Sequence, residues 1–439
     1  MPIGNSNYEI LDDDRLLGES VFYRDNQLVT GNGSPVSGAG NQPTIATLGD
    51  SIAQQNTSIV GGAYALRSQG PVCWMLAYLG AWDYQPSDNF AVYGTTVDAM
   101  IATQLPALLA AHATRRYQRC FISAGTNDTN AGRAISQIKA DFLALFGALR
   151  SAGIIPVHTG IRPRGVDAAI TVPKLQNMQL NEWLQGLGRA GMIEFVPVSE
   201  VYADTSTAFG NCVAALMYDG LLHPSARGAA LEGRALAAWY QDRGIAPAMV
   251  TASQQGDTFD RANNPGGVAF SSANPLLIGG TTAPAGMTTA GGTWSKVSRT
   301  LPNGQSRSDP TCALVASTTH YLYDDWTKTG AWAATDLQPG DIIEARAIVA
   351  ISSGVNVKNV ALKLVENNGS GNITHQHLLM AESASLQGDH VLYLRTPRIA
   401  VRDYAGSGNA SIFARVDIDT DAGASGTATV RAFEVRKVD

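Results

Sequence analysis

Charge is scarce in this 439-residue chain: 15% of residues are Asp, Glu, Lys or Arg, and no basic block stands ready to track a phosphate backbone. Thirty-one Lys plus Arg against 37 Asp plus Glu give a net charge of -6, so nucleic acid is not an expected partner. Cysteine is scarcer still. Cys73, Cys120, Cys212 and Cys312 stand singly, without the spacing of a zinc site or the density of a disulfide scaffold, and are expected to be packed thiols. Long apolar runs are missing too. The most apolar helical stretch, residues 97–111, is broken by Asp98, Gln104 and Pro106, short of the ~18 apolar residues a membrane span requires. Glu9, Asp12, Asp13 and Asp14 stand where an export signal needs a basic start, so neither a signal peptide nor a membrane partner is expected. What is present is core material: 45% of residues are hydrophobic, and the length exceeds what one core spans, which predicts a folded chain of two or three domains.

The organisation follows from periodicity. Residues 21–29 read as a hairpin turning at Asp25-Asn26, and the Gly/Ser/Pro run 31–40 reads as a linker, so residues 1–43 form an arm. From Thr44, short apolar runs alternate with helical patterns. Strands are expected at residues 44–48, 90–93, 119–123, 154–158 and 193–198. Helices are expected at 71–79, with Pro71 inside its start and Gly80 past its end, and at 97–111, 175–187 and 226–241. Ile135, Ile138, Phe142, Leu145 and Leu149 make one further helical stripe, closed by Gly153. Five βα units predict an α/β domain over residues 44–245, a parallel sheet in a three-layer sandwich. Beyond Ala246 helical periodicity stops. Residues 246–275 read as a linker and 276–439 as an all-β module.

Parallel sheets hold their ligand sites at the carboxyl ends of the strands, so the loops there are where reactive groups belong. After the first strand stands Gly49-Asp50-Ser51. The second ends at Gly94 and the third in Gly125-Thr126-Asn127-Asp128. Asp219-Gly220-Leu221-Leu222-His223-Pro224 follows the fifth, its acid and imidazole close enough for one turn to bond them. A serine attacks a carbonyl only if a base takes its proton. The anion then formed needs fixed donors, here the N–H groups of Ser51 and Gly94 and the Asn127 amide.

These four blocks, in this order, resemble those of the SGNH (GDSL-like) hydrolase family, over about residues 44–244. The resemblance implies a flavodoxin-like α/β/α fold and a serine esterase without metal or other cofactor. It implies Ser51 as nucleophile, Ser51, Gly94 and Asn127 as oxyanion donors, and Asp219 and His223 as acid and base. Ile52 departs from the leucine of the GDSL name, a swap of similar volume.

The insertion at residues 53–70 is polar (Gln54, Gln55, Asn56, Thr57, Ser58), which favours a wet, sugar-lined cleft and a short acyl group over a long lipid chain. Arg162 and Arg164 follow the fourth strand and are candidates for gripping an acidic sugar at the cleft rim. In the β module, Trp294, Trp326, Trp332, Tyr321, Tyr323, Tyr393 and Tyr404 serve either core packing or sugar stacking. His375 and His377 alternate without a third ligand nearby, so no metal site is expected. Residues 274–294 resemble the opening of jelly-roll, carbohydrate-binding modules attached to phage tail hydrolases. The expectation is thus a polysaccharide O-acetylesterase of a virion tail, with an acylated polysaccharide as partner and a homo-oligomer or tail assembly as its setting. The alternatives are a lipase or thioesterase of the same family and a non-catalytic glycan-binding tail protein.

Overall fold

The computed structural model describes residues 21–24, 27–30 and 43–438, apart from residues 168, 208, 209, 220, 246, 248, 250, 253, 254, 266, 270–273, 302, 329, 334–336, 368–370, 381 and 404–409. An antiparallel hairpin joins β1 (Val21–Arg24) and β2 (Gln27–Thr30), where the sequence places one. The run 31–40 expected as a linker lies outside the described residues, as does Tyr404.

The α/β part begins with β3 (Thr44–Gly49), α1 (Ser51–Gln54), β4 (Thr57–Val60), β5 (Ala63–Arg67) and α2 (Pro71–Leu79). It continues through α3 (Val97–Ala99), α4 (Leu105–Arg115), β6 (Tyr117–Ser123), α5 (Thr126–Asn130), α6 (Ile135–Ser151) and β7 (Ile155–His158). It closes with α7 (Val172–Arg189), β8 (Glu194–Phe195), β9 (Met217–Asp219), β10 (His223–Pro224) and α8 (Ala226–Gln241). Strands β3, β6, β7 and β8 lie side by side in that order, all parallel. Side chains alternate across the sheet. Ile45, Phe121 and Val157 share a core with α2 and α8, whereas Ala46, Leu48, Cys120 and Ile122 share one with α4, α6 and α7, which makes three layers.

Two expected strands differ. Residues 90–93 form no strand, although Phe90 and Val92 donate to Thr47 O at 2.9 Å and Gly49 O at 3.0 Å. The Asn89 side chain takes over: its Oδ1 accepts from Ala91 N–H and Thr47 Oγ1, and its Nδ2 donates to Ala53 O and Thr57 Oγ1, bending the chain into a turn. The strand expected at 193–198 shortens to Glu194–Phe195 because Pro197 has no N–H for a ladder and the chain turns into a 3-10 segment, Val198–Tyr202. The helix expected at 97–111 runs on to Arg115, interrupted by a π turn at Met100–Gln104, where Leu105 N–H reaches back to Met100 O just before Pro106. Among the described residues no helix is long and apolar enough to cross a membrane, and all four cysteines are free and buried.

The C-terminal part is a β-sandwich: β11 (Thr288–Ala290), β12 (Trp294–Thr300), β13 (Ser306–Ala313), β14 (Thr319–Lys328), β15 (Ile342–Asn367), β16 (Asn372–Leu379), β17 (Leu386–Arg395), β18 (Ile399–Ala400) and β19 (Ala410–Lys437). The long strands β15 and β19 pair along their whole length, with register breaks between Ser352 and Asn359. These bulges bend both strands, so their outer halves build one layer with β13 and β17 and their inner halves the other with β14 and β16. Trp294 is 5% exposed and belongs to this core, and Trp326 and Trp332 pack against it.

The two parts share a sheet. The 53–70 insertion, expected as a polar cleft wall, folds into the β4–β5 hairpin, and β5 adds to β16 in parallel, pairing Ala65 with Gln376 and Leu66 with His377. The inference from polarity to a wet cleft is therefore corrected. Asn56 is 2% exposed and holds backbone, donating to Ala53 O and accepting from Val72 N–H, while the exposed hairpin tip carries Ile59 and Val60. All nine residues of α2 are buried, since this helix lies between the parallel sheet and the sandwich. Within 246–275, expected as a linker, several described residues bond to the sandwich or are buried: Ala252 N–H donates to Glu434, Ala269 N–H to Val435 O, and Val268 is fully buried.

Two seam histidines are held neutral. His377 Nε2–H donates to Cys73 O at 3.1 Å while its Nδ1 accepts from Arg395 N–H, and His390 Nδ1 faces Tyr78 OH at 2.9 Å. Burial lowers both, His377 to about 4. A buried neutral imidazole binds its proton more weakly in the fold than in the unfolded chain. Its contribution is complete above the unfolded value near 6.5 and is lost as pH falls toward 4. Urea unfolding at pH 7.5, 6, 5 and 4.5 is expected to show a stability decline in that window, and His377→Gln is expected to flatten it. An unchanged pH slope in the variant would remove His377 from the account.

Candidate active site

Strand β3 ends at Gly49, whose φ of +153° and surroundings allow no side chain: a Cβ there would sit 2.4 Å from Ser123 O. The glycine is gripped on both sides of its peptide by the Gln104 amide, which accepts from Gly49 N–H at 3.0 Å and donates to Gly49 O at 2.9 Å. Gln104 is the last residue of the π turn and is 3% exposed. The chain then turns sharply. Asp50 N–H donates to Ser123 O, and the Asp50 carboxylate accepts from Ile52 N–H at 2.9 Å, capping α1 so that Ser51 is its first residue. Burial pushes the Asp50 carboxyl up to about 6, against the opposing pull of Ile52 N–H, Arg162 and His223.

Ser51 Oγ lies 2.8 Å from His223 Nε2, and His223 Nδ1 lies 2.6 Å from Asp219 Oδ1. The hydroxyl and imidazole come together across 172 residues. His223 is placed by β10, which pairs antiparallel with β9 and sets His223 opposite Asp219, and Leu222 N–H closes the turn onto Asp219 O. Ser51 and His223 are 8% and 6% exposed, whereas the Asp219 side chain is 49% exposed, so the triad opens to solvent along its acid edge.

The remaining loops are laced to this corner. Val92 N–H donates to Gly49 O, tying the Gly94 loop to the strand end, and Asn127 Nδ2 donates to Thr95 O at 3.1 Å. Asp128 accepts from Val97 N–H and from Arg133, which fixes the 125–128 turn against the start of α3. Gly125 takes a φ of +102°, and a Cβ on it would meet Ile161 at 2.6 Å. Gly94 and Asn127 thus stand on neighbouring, bonded loops beside the strand that leads into Ser51.

Arg162 is not at a cleft rim, and that expectation is corrected. It is 6% exposed, bonded through Nε and NH2 to Glu232 of α8 and through NH1 to Ser123 Oγ. Glu232 is fully buried and also accepts from Tyr202 OH. A guanidinium out of water needs such a fork of acceptors, so it turns inward. Arg164 is half-buried and donates to Asn130 Oδ1 at 3.0 Å. His375 and His377 are buried in the seam, His375 against Glu366 and Tyr64 N–H, and among the described residues no cluster of His, Cys, Asp or Glu has the makings of a metal site.

Sequence reasoning missed Gln104, Glu232 and Tyr218. The first two left a signal, a polar group among apolar neighbours on a helix, which demands a buried partner. Tyr218, next to Asp219, is 46% exposed, with its ring centroid 5.7 Å from that of His223 and its hydroxyl accepting from Gln55 Nε2.

Among solved structures the chain is similar to a catalytic mutant of Axe2, an acetylxylan esterase from Geobacillus stearothermophilus, at 16% identity, covering 48% of this chain and 98% of that one with a TM-score of 0.36. It is also similar to TesA, at 20% identity over 46% of this chain and 99% of that one, TM-score 0.32. A structure of carbohydrate-binding modules from the β-sandwich superfamily matches at 17% identity, 34% of this chain and 56% of that one, TM-score 0.23. No curated protein matches. Residues 47–231 match the model of the GDSL-like Lipase/Acylhydrolase family. The segment that carries Ser51, Asp219 and His223 in bonding contact, a three-layer α/β unit, is thus similar to the GDSL-like lipase/acylhydrolase family over those residues.

Proposed function

We propose that this protein is a carboxylic ester hydrolase that removes short acyl groups, O-acetyl above all, from a polysaccharide through an acyl-enzyme on Ser51. The observation that carries the reading is the unbroken hydrogen-bond path from Ser51 Oγ through the imidazole to Asp219. As Oγ attacks the ester carbonyl, His223 Nε2 takes its proton, and Asp219 holds the imidazole in the required tautomer and steadies the cation formed. The N–H groups of Ser51 and Gly94 and the Asn127 amide take the role of donors to the oxyanion. The proton on Nε2 then passes to the departing sugar oxygen, and a water activated by the same nitrogen releases the acid.

Two features favour a sugar-borne ester. The half-exposed Asp219 places the triad at the surface, within reach of a polymer that a deep tunnel would exclude. Tyr218 presents an exposed aromatic ring beside His223, with a polar partner in Gln55, as sugar rings require for stacking. A longer acyl chain has its own observation: Val92 and Tyr93, beside Gly94, are 51% and 72% exposed. The test is acetate release from a panel of purified acetylated capsular and O-antigen polysaccharides, beside acetyl, butyryl and octanoyl aryl esters. The expected outcome is acetate release from at least one glycan and a rate falling with chain length. Rates rising toward octanoyl would replace the sugar reading with a lipase or thioesterase one.

A further inference from the structure

A side chain of the β-sandwich reaches the helix that follows His223. Ala226 N–H, the first of α8, donates to Glu382 Oε1 at 2.8 Å, across 156 residues. Two residues on, Gly228 N–H is capped by Ser225 Oγ, so the Glu382 carboxylate supplies a second cap from another part of the chain and sits where a helix N-terminus favours negative charge. Only Pro224 and Ser225 separate His223 from Ala226. The nucleophile side is joined to the sandwich as well, since α1 leads directly into the β4–β5 hairpin that pairs with β16.

We propose that Glu382 is a positioning residue for the hydrolysis: by fixing Ala226 it fixes where His223 stands against Ser51, which makes the sandwich part of the catalytic apparatus and not a tethered sugar-binding appendage. The inference rests on the reading of Ser51 and His223 as base-activated nucleophile and base. Glu382 touches neither reacting atom. Its effect belongs in kcat, because it governs the distance over which the proton moves, and not in the binding of a small ester.

The experiment compares the full chain with its Glu382→Gln and Glu382→Ala variants in two readouts. One is kcat and KM for an aryl acetate. The other is the downfield proton resonance of the short His223 Nδ1–Asp219 hydrogen bond, which reports geometry whether or not ester turns over. In Glu382→Ala, kcat is expected to fall roughly fivefold with KM within about twofold, and the resonance to shift or broaden. Glu382→Gln keeps an oxygen acceptor for Ala226 N–H and is expected to restore both. Glu382→Ser, polar but too short to reach Ala226, takes the place of the alanine variant should that one not fold. Unchanged kcat and resonance in the shortened variant, or equal losses in it and the glutamine variant, would overturn the proposal. A wild-type chain with the resonance but no turnover would instead sink the esterase reading and leave the positioning of His223 to be decided by the resonance alone.

Discussion

Replacing Ser51 by alanine is expected to lower aryl acetate hydrolysis by roughly 10⁴-fold or more while leaving the unfolding transition in place. The hydroxyl makes one hydrogen bond, to His223 Nε2, so its loss removes a nucleophile and little else. His223→Ala is expected to cost nearly as much, and the double variant no more than either alone, since a base without a nucleophile does nothing. Asp219→Ala is expected to lose at least about tenfold less: its carboxylate is 49% exposed, and water can take its place on Nδ1. Covalent labelling adds a second measurement. A fluorophosphonate is expected to add one adduct to the native chain, on Ser51, and none to the Ser51→Ala or His223→Ala proteins, because only an activated serine reacts at neutral pH. Labelling at another residue, or full turnover in Ser51→Ala, would falsify the assignment.

Arg162→Ala is expected to have the largest effect on stability, about 3–5 kcal/mol by urea unfolding. The guanidinium is the counter-charge of Glu232, which is fully buried: its relative exposure is 0%, and its acceptor oxygens are bonded by Arg162 and Tyr202 OH. Burial opposes the charge on Arg162, and Glu232, Tyr202 and Asp50 hold it on. Removing one partner strands the other, whereas removing both costs far less, so Arg162→Met with Glu232→Leu is expected to recover much of the loss. Arg162→Lys is expected to recover little, because an ammonium has no planar fork for two carboxylate oxygens. A loss below about 1 kcal/mol in Arg162→Ala would show that the pair contributes nothing beyond its own desolvation.

What was legible follows from the range of the interactions. Helix α2 begins at Pro71 and ends before Gly80, and α8 spans residues 226–241 behind the Ser225 cap, because their start and stop signals lie within a turn of each end. The site corner was legible for a different reason: Gly49, Asp50, Ser51, Asp219 and His223 are fixed by chemistry that tolerates few substitutes. Arg162 was misplaced because its carboxylate stands 70 residues on, on a helix face that reads as apolar. The 53–70 insertion misled for the same reason. Its Asn56 spends its hydrogen bonds on the backbone of Ala53 and Val72, and its pairing strand is about three hundred residues away, where no local pattern reports it. The π turn at 100–104 replaced a plain helix because Gln104 has to meet Gly49 across the sheet edge.

The union of β5 with β16 bears on the order in which this molecule is made. Tyr64 meets its partner His375 across 311 residues, so a nascent chain presents the hairpin long before the strand that receives it has been synthesised. The segment just past Ser51 must wait, unsheltered, until the strand some three hundred residues on has left the ribosome, and a chain stalled or cut before that strand would carry Ser51 beside an open edge prone to association with its neighbours.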